Sequence, residues 1–261
     1  MMFHMKDLVA AALTAAKERG QDVADVPVTA IAAAAGVSRS TLLRRLGGSR
    51  AALDEAVRQA GVDPGGRPPV RERAIEAAAW LVAERGLGEI TLDAVAERAG
   101  CSLPSLHTVF EGRDGLLAAV FEQYGPLPDV QALAADPPQR LEDVVRALYR
   151  AFVTAFEREP QIVPAVFADL FSRPDGPAAR MMAATVPRMY EGLGGLLLPY
   201  VEAGRLRPLP LPLLAQLLLG PLINHILLRP VLAPAFGADL PSVDEAIELF
   251  ADAFLRAVAL P

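Results

Sequence analysis

The chain has 261 residues, 52% hydrophobic, 21% charged and 6% aromatic, with a formal net charge of −6 at pH 7. That length suffices for more than one core, and the acidic balance excludes a general polyanion binder, so any nucleic-acid contact must come from a local basic patch. One cysteine excludes an intramolecular disulfide, and no Cys/His group has zinc-ligand spacing, so neither a metal nor a cofactor is expected.

Alanine, leucine and valine dominate and no alternating β-branched run occurs, which predicts an all-α fold. The N-terminal stretch MMFHMKDLVAAALTAAKERG is amphipathic and charged, without a cleavage site, and the chain is expected to be cytoplasmic. Helices are expected over residues 8–20, 27–35, 37–46 and 51–60, with Gly20 and Gly36 as breaks. GVDPGGRPP, residues 61–69, reads as linker, because glycine and proline punctuate it and nothing apolar recurs.

Helices follow over residues 70–86, 91–99, 102–110 and 115–124. The stretch ITLDAVAERAGCSLPSLHTVFEGRDGLLAAV, residues 90–120, is the most informative. Thr91 is an N-cap, and Leu92, Val95, Ala96 and Ala99 form one apolar face. Gly100 ends the helix by entering the left-handed conformation. Ser102 caps the next helix, where Pro104 in the first turn lacks only an N–H that had no helical partner. Leu106, Val109 and Phe110 are expected to turn inward, giving a helix-turn-helix whose second helix can enter a major groove.

The same pattern occurs upstream. AIAAAAGVSRSTLLRRL, from Ala30, lies on AVAERAGCSLPSLHTVF, from Ala94, with Ala30, Ala32, Ala35, Gly36, Ser38 and Leu42 meeting identical residues. The expected organisation is a first helix-turn-helix unit over 1–62, a linker over 63–69, a second unit over 70–125 and a helical domain over 126–261.

Beyond Pro126 the helices lengthen, over residues 139–159, 162–171, 177–205 (a pair or one kinked helix), 211–228 and 243–260. Several are apolar around most of their circumference, which predicts packing against each other and against a second subunit, with Leu218 and Phe250 at that interface. The run near Leu209–Leu228 is cut by prolines, Gln216, Asn224 and His225, so a buried helix rather than a membrane span is expected there.

The chain resembles the TetR (tetracycline-repressor) family of bacterial regulators. Thr91, Leu92, Val95, Ala96, Ala99, Gly100, Ser102, Leu106, Phe110, Arg113, Leu116 and Leu117 fall on the family's DNA-binding pattern, with departures at Cys101, His107 and Val109. Ile31, Ala32, Ala35, Gly36, Val37, Ser38, Leu42, Arg50 and Leu53 fit it too, while Pro27, Leu43, Arg45, Leu46 and an added glycine in Gly47–Gly48 depart from it. Two units in one chain are themselves a departure. The resemblance implies a homodimer whose C-terminal helices enclose a small-molecule pocket, and a palindromic double-stranded operator released by that ligand.

The DNA-contacting candidates in the first unit are Ser38, Arg39, Ser40, Thr41, Arg44, Arg45 and Arg50, whose donors suit guanine edges and phosphates. In the second unit they are Thr91, Ser102, Leu103, Ser105, His107, Thr108 and Arg113. His107 stands where the family has a phosphate-touching tyrosine. Candidates for a mostly apolar effector are Tyr149, Phe152, Met182, Met189, Tyr190 and His225. Cys101 reads as a small packed side chain and Trp80 as interior packing. No carboxylate pair, Ser/His/Asp set or phosphate loop occurs, so no enzyme is expected. The expectation is a ligand-released DNA-binding repressor; the alternative is a module that kept the fold and lost operator recognition.

Overall fold

Apolar residues recurring at three- and four-residue steps between glycines give helices throughout, and the computed structural model describes residues 5–66 and 68–260. Among the described residues the only strand-like pairing is one antiparallel bridge between Leu206 and Ala259. The chain divides into two units, Met1–Pro69 and Val70–Pro261.

The first unit contains α1 (Met5–Arg19), a 3-10 turn (Val23–Asp25), α2 (Val28–Ala34), α3 (Arg39–Arg45) and α4 (Ala51–Gln59). Leu8, Ala12, Val26, Ile31, Leu42, Leu53 and Val57 are at most 1% exposed and form its centre. Each buried Leu or Ile removes enough apolar surface from water to contribute about 1.5–3 kcal/mol.

The second unit opens in the same order, with α5 (Val70–Arg85), a 3-10 turn (Leu87–Glu89), α6 (Leu92–Ala99), α7 (Leu103–Phe110) and α8 (Arg113–Tyr124). It continues with α9 (Leu127–Ala135), α10 (Leu141–Glu157), α11 (Val163–Ser172), α12 (Pro177–Glu202), α13 (Leu211–Phe236) and α14 (Val243–Val258). The short α9 has no counterpart among the expected helices; it is held by its buried Leu127 and Val130. α12 is a single helix that carries Pro187 and Pro199 inside, and α13 runs past residue 228 through Pro230 and Pro234. Tertiary packing outweighs the cost of those prolines.

Residues 70–125 and 126–261 share one core. Ala78, Val95, Leu106 and Leu116 belong to the same buried cluster as Phe156, Val163, Val166 and Met181. A second cluster joins Val144, Leu148, Tyr149, Leu193, Leu218 and Phe254. α14 begins with a capping box, in which Ser242 accepts from Glu245 N and the Glu245 carboxylate accepts from Ser242 N.

Three departures from expectation concern faces. Trp80 lies 39% exposed on α5, and Val109 is exposed rather than turned inward. Leu218 is fully buried within the chain, whereas Leu213, Leu217, Leu228 and Val231 of α13 and Leu249 of α14 are exposed. The segment Leu211–Asp239 is long and apolar enough to cross a membrane by length and composition; an 18-residue window of it has a mean hydropathy of 1.7, and a third of that window is buried.

Candidate nucleic-acid interface and cavity

In the second unit, local chemistry fixes the helix-turn-helix. The Thr91 hydroxyl accepts from Ala94 N at 3.2 Å and starts α6. Gly100, at φ 57° and ψ 51°, ends it in the left-handed region. Ser102 then accepts from Ser105 N at 3.3 Å and starts α7. Leu106 and Phe110 are buried, while His107, Thr108 and Val109 face solvent. The Thr108 hydroxyl donates to Pro104 O at 3.0 Å, so it faces outward as an acceptor. Leu103 and Ser105 are half-buried beside it.

Two arginines brace the turn. Arg73 donates to the carbonyls of Ala99 and Gly100. Arg113, the first residue of α8, donates to Ile90 O at 2.6 Å and Leu87 O at 2.5 Å. Its guanidinium is thereby committed to the approach to α6 instead of reaching out to DNA as the sequence suggests.

The first unit repeats these devices. Gly36 sits at φ 63° between α2 and α3. Ser38 accepts from Thr41 N at 3.2 Å, and its hydroxyl also bonds those of Ser40 and Thr41. Arg50 donates to the carbonyls of Val23 and Val26 and pairs with Asp54 at 3.4 Å, so it too is structural. Ser38, Arg39, Ser40, Arg44 and Arg45 are exposed, with Thr41 half-buried among them.

An apolar cavity of about 80 Å³ lies within the second unit. Phe121 and Pro126 line it from the end of α8 and the following turn, Phe152 and Phe156 from α10, Val163, Val166 and Phe167 from α11, and Met182, Thr185, Val186 and Met189 from α12. At roughly 10–15 Å³ per water-sized probe, it is larger than the gaps of ordinary packing. The one polar side chain in this wall is Thr185, whose hydroxyl donates to Met181 O at 3.4 Å.

Of the six candidates, Phe152, Met182 and Met189 lie together in this wall, and Tyr149, Tyr190 and His225 lie elsewhere. Tyr149 is fully buried in the second cluster, where burial raises its phenol above the usual value. Tyr190 packs beside that cluster. His225 meets the Phe250 ring edge-on at 6.0 Å and Arg229 at 3.3 Å. Burial, then the Arg229 charge, lowers its pKa. The aromatic and aliphatic residues of α11 and the Phe121 side chain carried no sequence signal beyond apolarity.

α8 is tied at both ends. Asp114 pairs with Arg180 at 2.9 Å, and Glu122 pairs with Arg188. Arg158 holds the helix end, donating to Gly125 O at 2.9 Å and to Asp129 at 2.7 Å. Among the described residues no group of three His, Cys, Asp or Glu side chains is placed to hold a metal.

Residues 74–120, from α5 to α8, match the family model described as bacterial regulatory proteins of the tetR family. The chain thus carries a segment of the tetR-family type. It is similar in structure to a TetR family transcription regulator from Marinobacter aquaeolei VT8, at 22% identity over 74% of this chain and 96% of that one, with a TM-score of 0.56. It is also similar to SmeT, the repressor of the Stenotrophomonas maltophilia multidrug efflux pump SmeDEF, at 18% identity over 73% of this chain and 90% of that one, TM-score 0.52. A SmeT–triclosan complex matches at 19% identity over 73% and 92%, TM-score 0.54. No curated protein matches the chain. The chain thus has the all-α fold of TetR-family transcription regulators, and the Phe121 cavity lies against the last helix of the segment that matches the family model.

Proposed function

We propose that the chain is a homodimeric, DNA-binding transcriptional repressor released from its operator by a small, uncharged, largely apolar ligand. The observation that carries this is the position of Phe121. It belongs to the buried cluster of the DNA-binding domain and also walls the cavity. A ligand that displaces Phe121 moves α8, and through Arg113 it moves the segment that starts α6. A differential affinity of about 1–3 kcal/mol between two arrangements of α8 changes operator affinity usefully. An ionised ligand group would lose its hydration here with only the Thr185 hydroxyl in return, which favours neutral ligands.

The dimer is supported by the face of α13. Leu213, Leu217, Leu228 and Val231 are exposed along one stripe that also holds Asn224 and no charge. A second copy presenting the same stripe is self-complementary to it.

Triclosan, the ligand of the SmeT complex, heads the panel of neutral aromatic probes. Binding is expected to raise the melting temperature of the full chain and to release duplex DNA. Val186→Phe, which adds bulk to the cavity wall, should leave DNA binding intact and remove the response. Equal responses in wild type and Val186→Phe would sink the cavity as the effector site.

The second reading, a fold that has lost operator recognition, is favoured by α7 itself. Its outermost side chains are Pro104 and Thr108, and neither can donate as a bidentate reader does.

A further inference from the structure

We infer that the first unit, α1–α4, is a second base-reading site for duplex DNA, and that it holds the cationic readers α7 lacks. The inference rests on the reading of the chain as a DNA-binding regulator and is independent of ligand release.

The backbone frame is the first support. The left-handed glycines Gly20 and Gly36 correspond to Gly86 and Gly100. The capping serine Ser38 corresponds to Ser102. The 3-10 turn Val23–Asp25 is braced by Arg50 as Leu87–Glu89 is braced by Arg113. These devices set how the second helix of each pair stands on the first, so α3 is presented on its unit as α7 is on its own.

The outward face is the second support, and there the two differ. At about 100° per residue, the positions opposite the buried Leu42 and Leu46 are Ser40 and Arg44, with Arg39 on the flank. The same positions of α7 hold Pro104 and Thr108, with Leu103 on the flank. Arg39 and Arg44 are exposed, and their side chains make no hydrogen bond or ion pair among the described residues. Their guanidinium forks are the donors that read guanine O6 and N7 in a major groove.

Charge distribution is the third. Residues 26–49 contain Arg39, Arg44 and Arg45 and no Asp or Glu, between Asp25 and the paired Arg50 and Asp54, in a chain whose net charge is −6. The corresponding residues 90–112 set Asp93, Glu97 and Glu111 against Arg98. A merely solvated surface mixes both signs. A cationic stretch in an acidic chain is a local polyanion site, and its place on the outer helix of a helix-turn-helix selects duplex DNA. Because both units belong to one chain, binding by one raises the effective concentration of the other at the neighbouring sequence.

The test selects bound sequences from a pool of randomised duplexes of about 40 base pairs, four helical turns. It uses the full chain, the double variant Arg39→Ala/Arg44→Ala, and the milder Arg44→Gln. Circular dichroism checks the fold of each, and Arg58→Ala on α4 is the charge control. The wild type should select sequences with two separate blocks of preferred bases in each half-site. The double variant should lose one block, keep the other, shorten the nuclease footprint by about one helical turn and bind the selected duplex at least tenfold more weakly. Arg44→Gln should lose preference at one base pair of that block, while Arg58→Ala keeps both blocks. An unchanged consensus and footprint in the double variant would overturn the inference while leaving the regulator reading intact. Uniform weakening with the consensus retained would overturn base reading too. No preference over random DNA in the wild type would overturn both readings at once.

Discussion

α3 and α7 turn the same kind of face inward and opposite kinds outward. Leu42 and Leu106 are both fully buried, each after a capping serine and a left-handed glycine, and each unit closes on an arginine that grips two backbone carbonyls. Outside, α3 shows arginines and α7 shows Pro104, His107 and Thr108. The inward set decides whether the helix pair forms, through burial and capping. The outward set decides what the pair can touch and is free to vary without disturbing the first. The unit that matches a family by its frame is therefore not automatically the unit with the stronger chemistry at its surface.

The comparison is broken most forcefully from the inside. Leu42→Ala and Leu106→Ala should each cost about 2–5 kcal/mol, because both side chains are enclosed and leave a cavity. The melting shift should be larger for Leu42→Ala, since a domain of roughly 60–100 residues shifts about 4–8 °C per kcal/mol against about 2–4 °C for one of 150–250. Equal shifts in calorimetry would mean that the units unfold as one. Next come the braces. Arg50→Ala and Arg113→Ala each remove charge-assisted bonds to carbonyls, worth about 1.5–3 kcal/mol in chemical denaturation. Lysine should not rescue either, because one ammonium lacks the planar fork that spans two acceptors.

Ser38→Ala and Ser102→Ala should cost about 1 kcal/mol each, the usual loss of an N-cap. The smallest effect on stability belongs to the sharpest test. The exchange Arg44→Thr with Thr108→Arg changes exposed positions only, so stability should stay within about 0.5 kcal/mol. The preferred bases should nevertheless move from one block of the binding site to the other, read by sequence selection on the purified variant.

The frame was legible in the sequence because its signals are local. Gly100 and Ser102 act on residues within one turn, and the spacing of Leu106 and Phe110 states which side is buried. The brace was not legible. Arg113 reaches carbonyls 23 and 26 residues away, and in the sequence a basic residue near a reading helix is indistinguishable from a DNA contact. The cavity was half legible for a related reason. Phe152, Met182 and Met189 share their apolar or aromatic chemistry with Tyr149 and Tyr190, but which apolar face meets empty space depends on the packing of α8, α10, α11 and α12 together. α13 shows the same limit. Its composition demanded a partner, but Leu218 and Leu217 are neighbours in sequence and only the structure separates the buried one from the exposed one.

The half-exposed indole of Trp80 on α5 gives the comparison an optical asymmetry. It is the chain's one tryptophan, and all four tyrosines, Tyr124, Tyr149, Tyr190 and Tyr200, also lie in the second unit. Near-ultraviolet emission therefore watches that unit alone, while far-ultraviolet ellipticity sums over both. Melting the first unit would pass unseen in fluorescence and register as a drop in ellipticity, so two spectra on the unlabelled protein assign each transition to its unit.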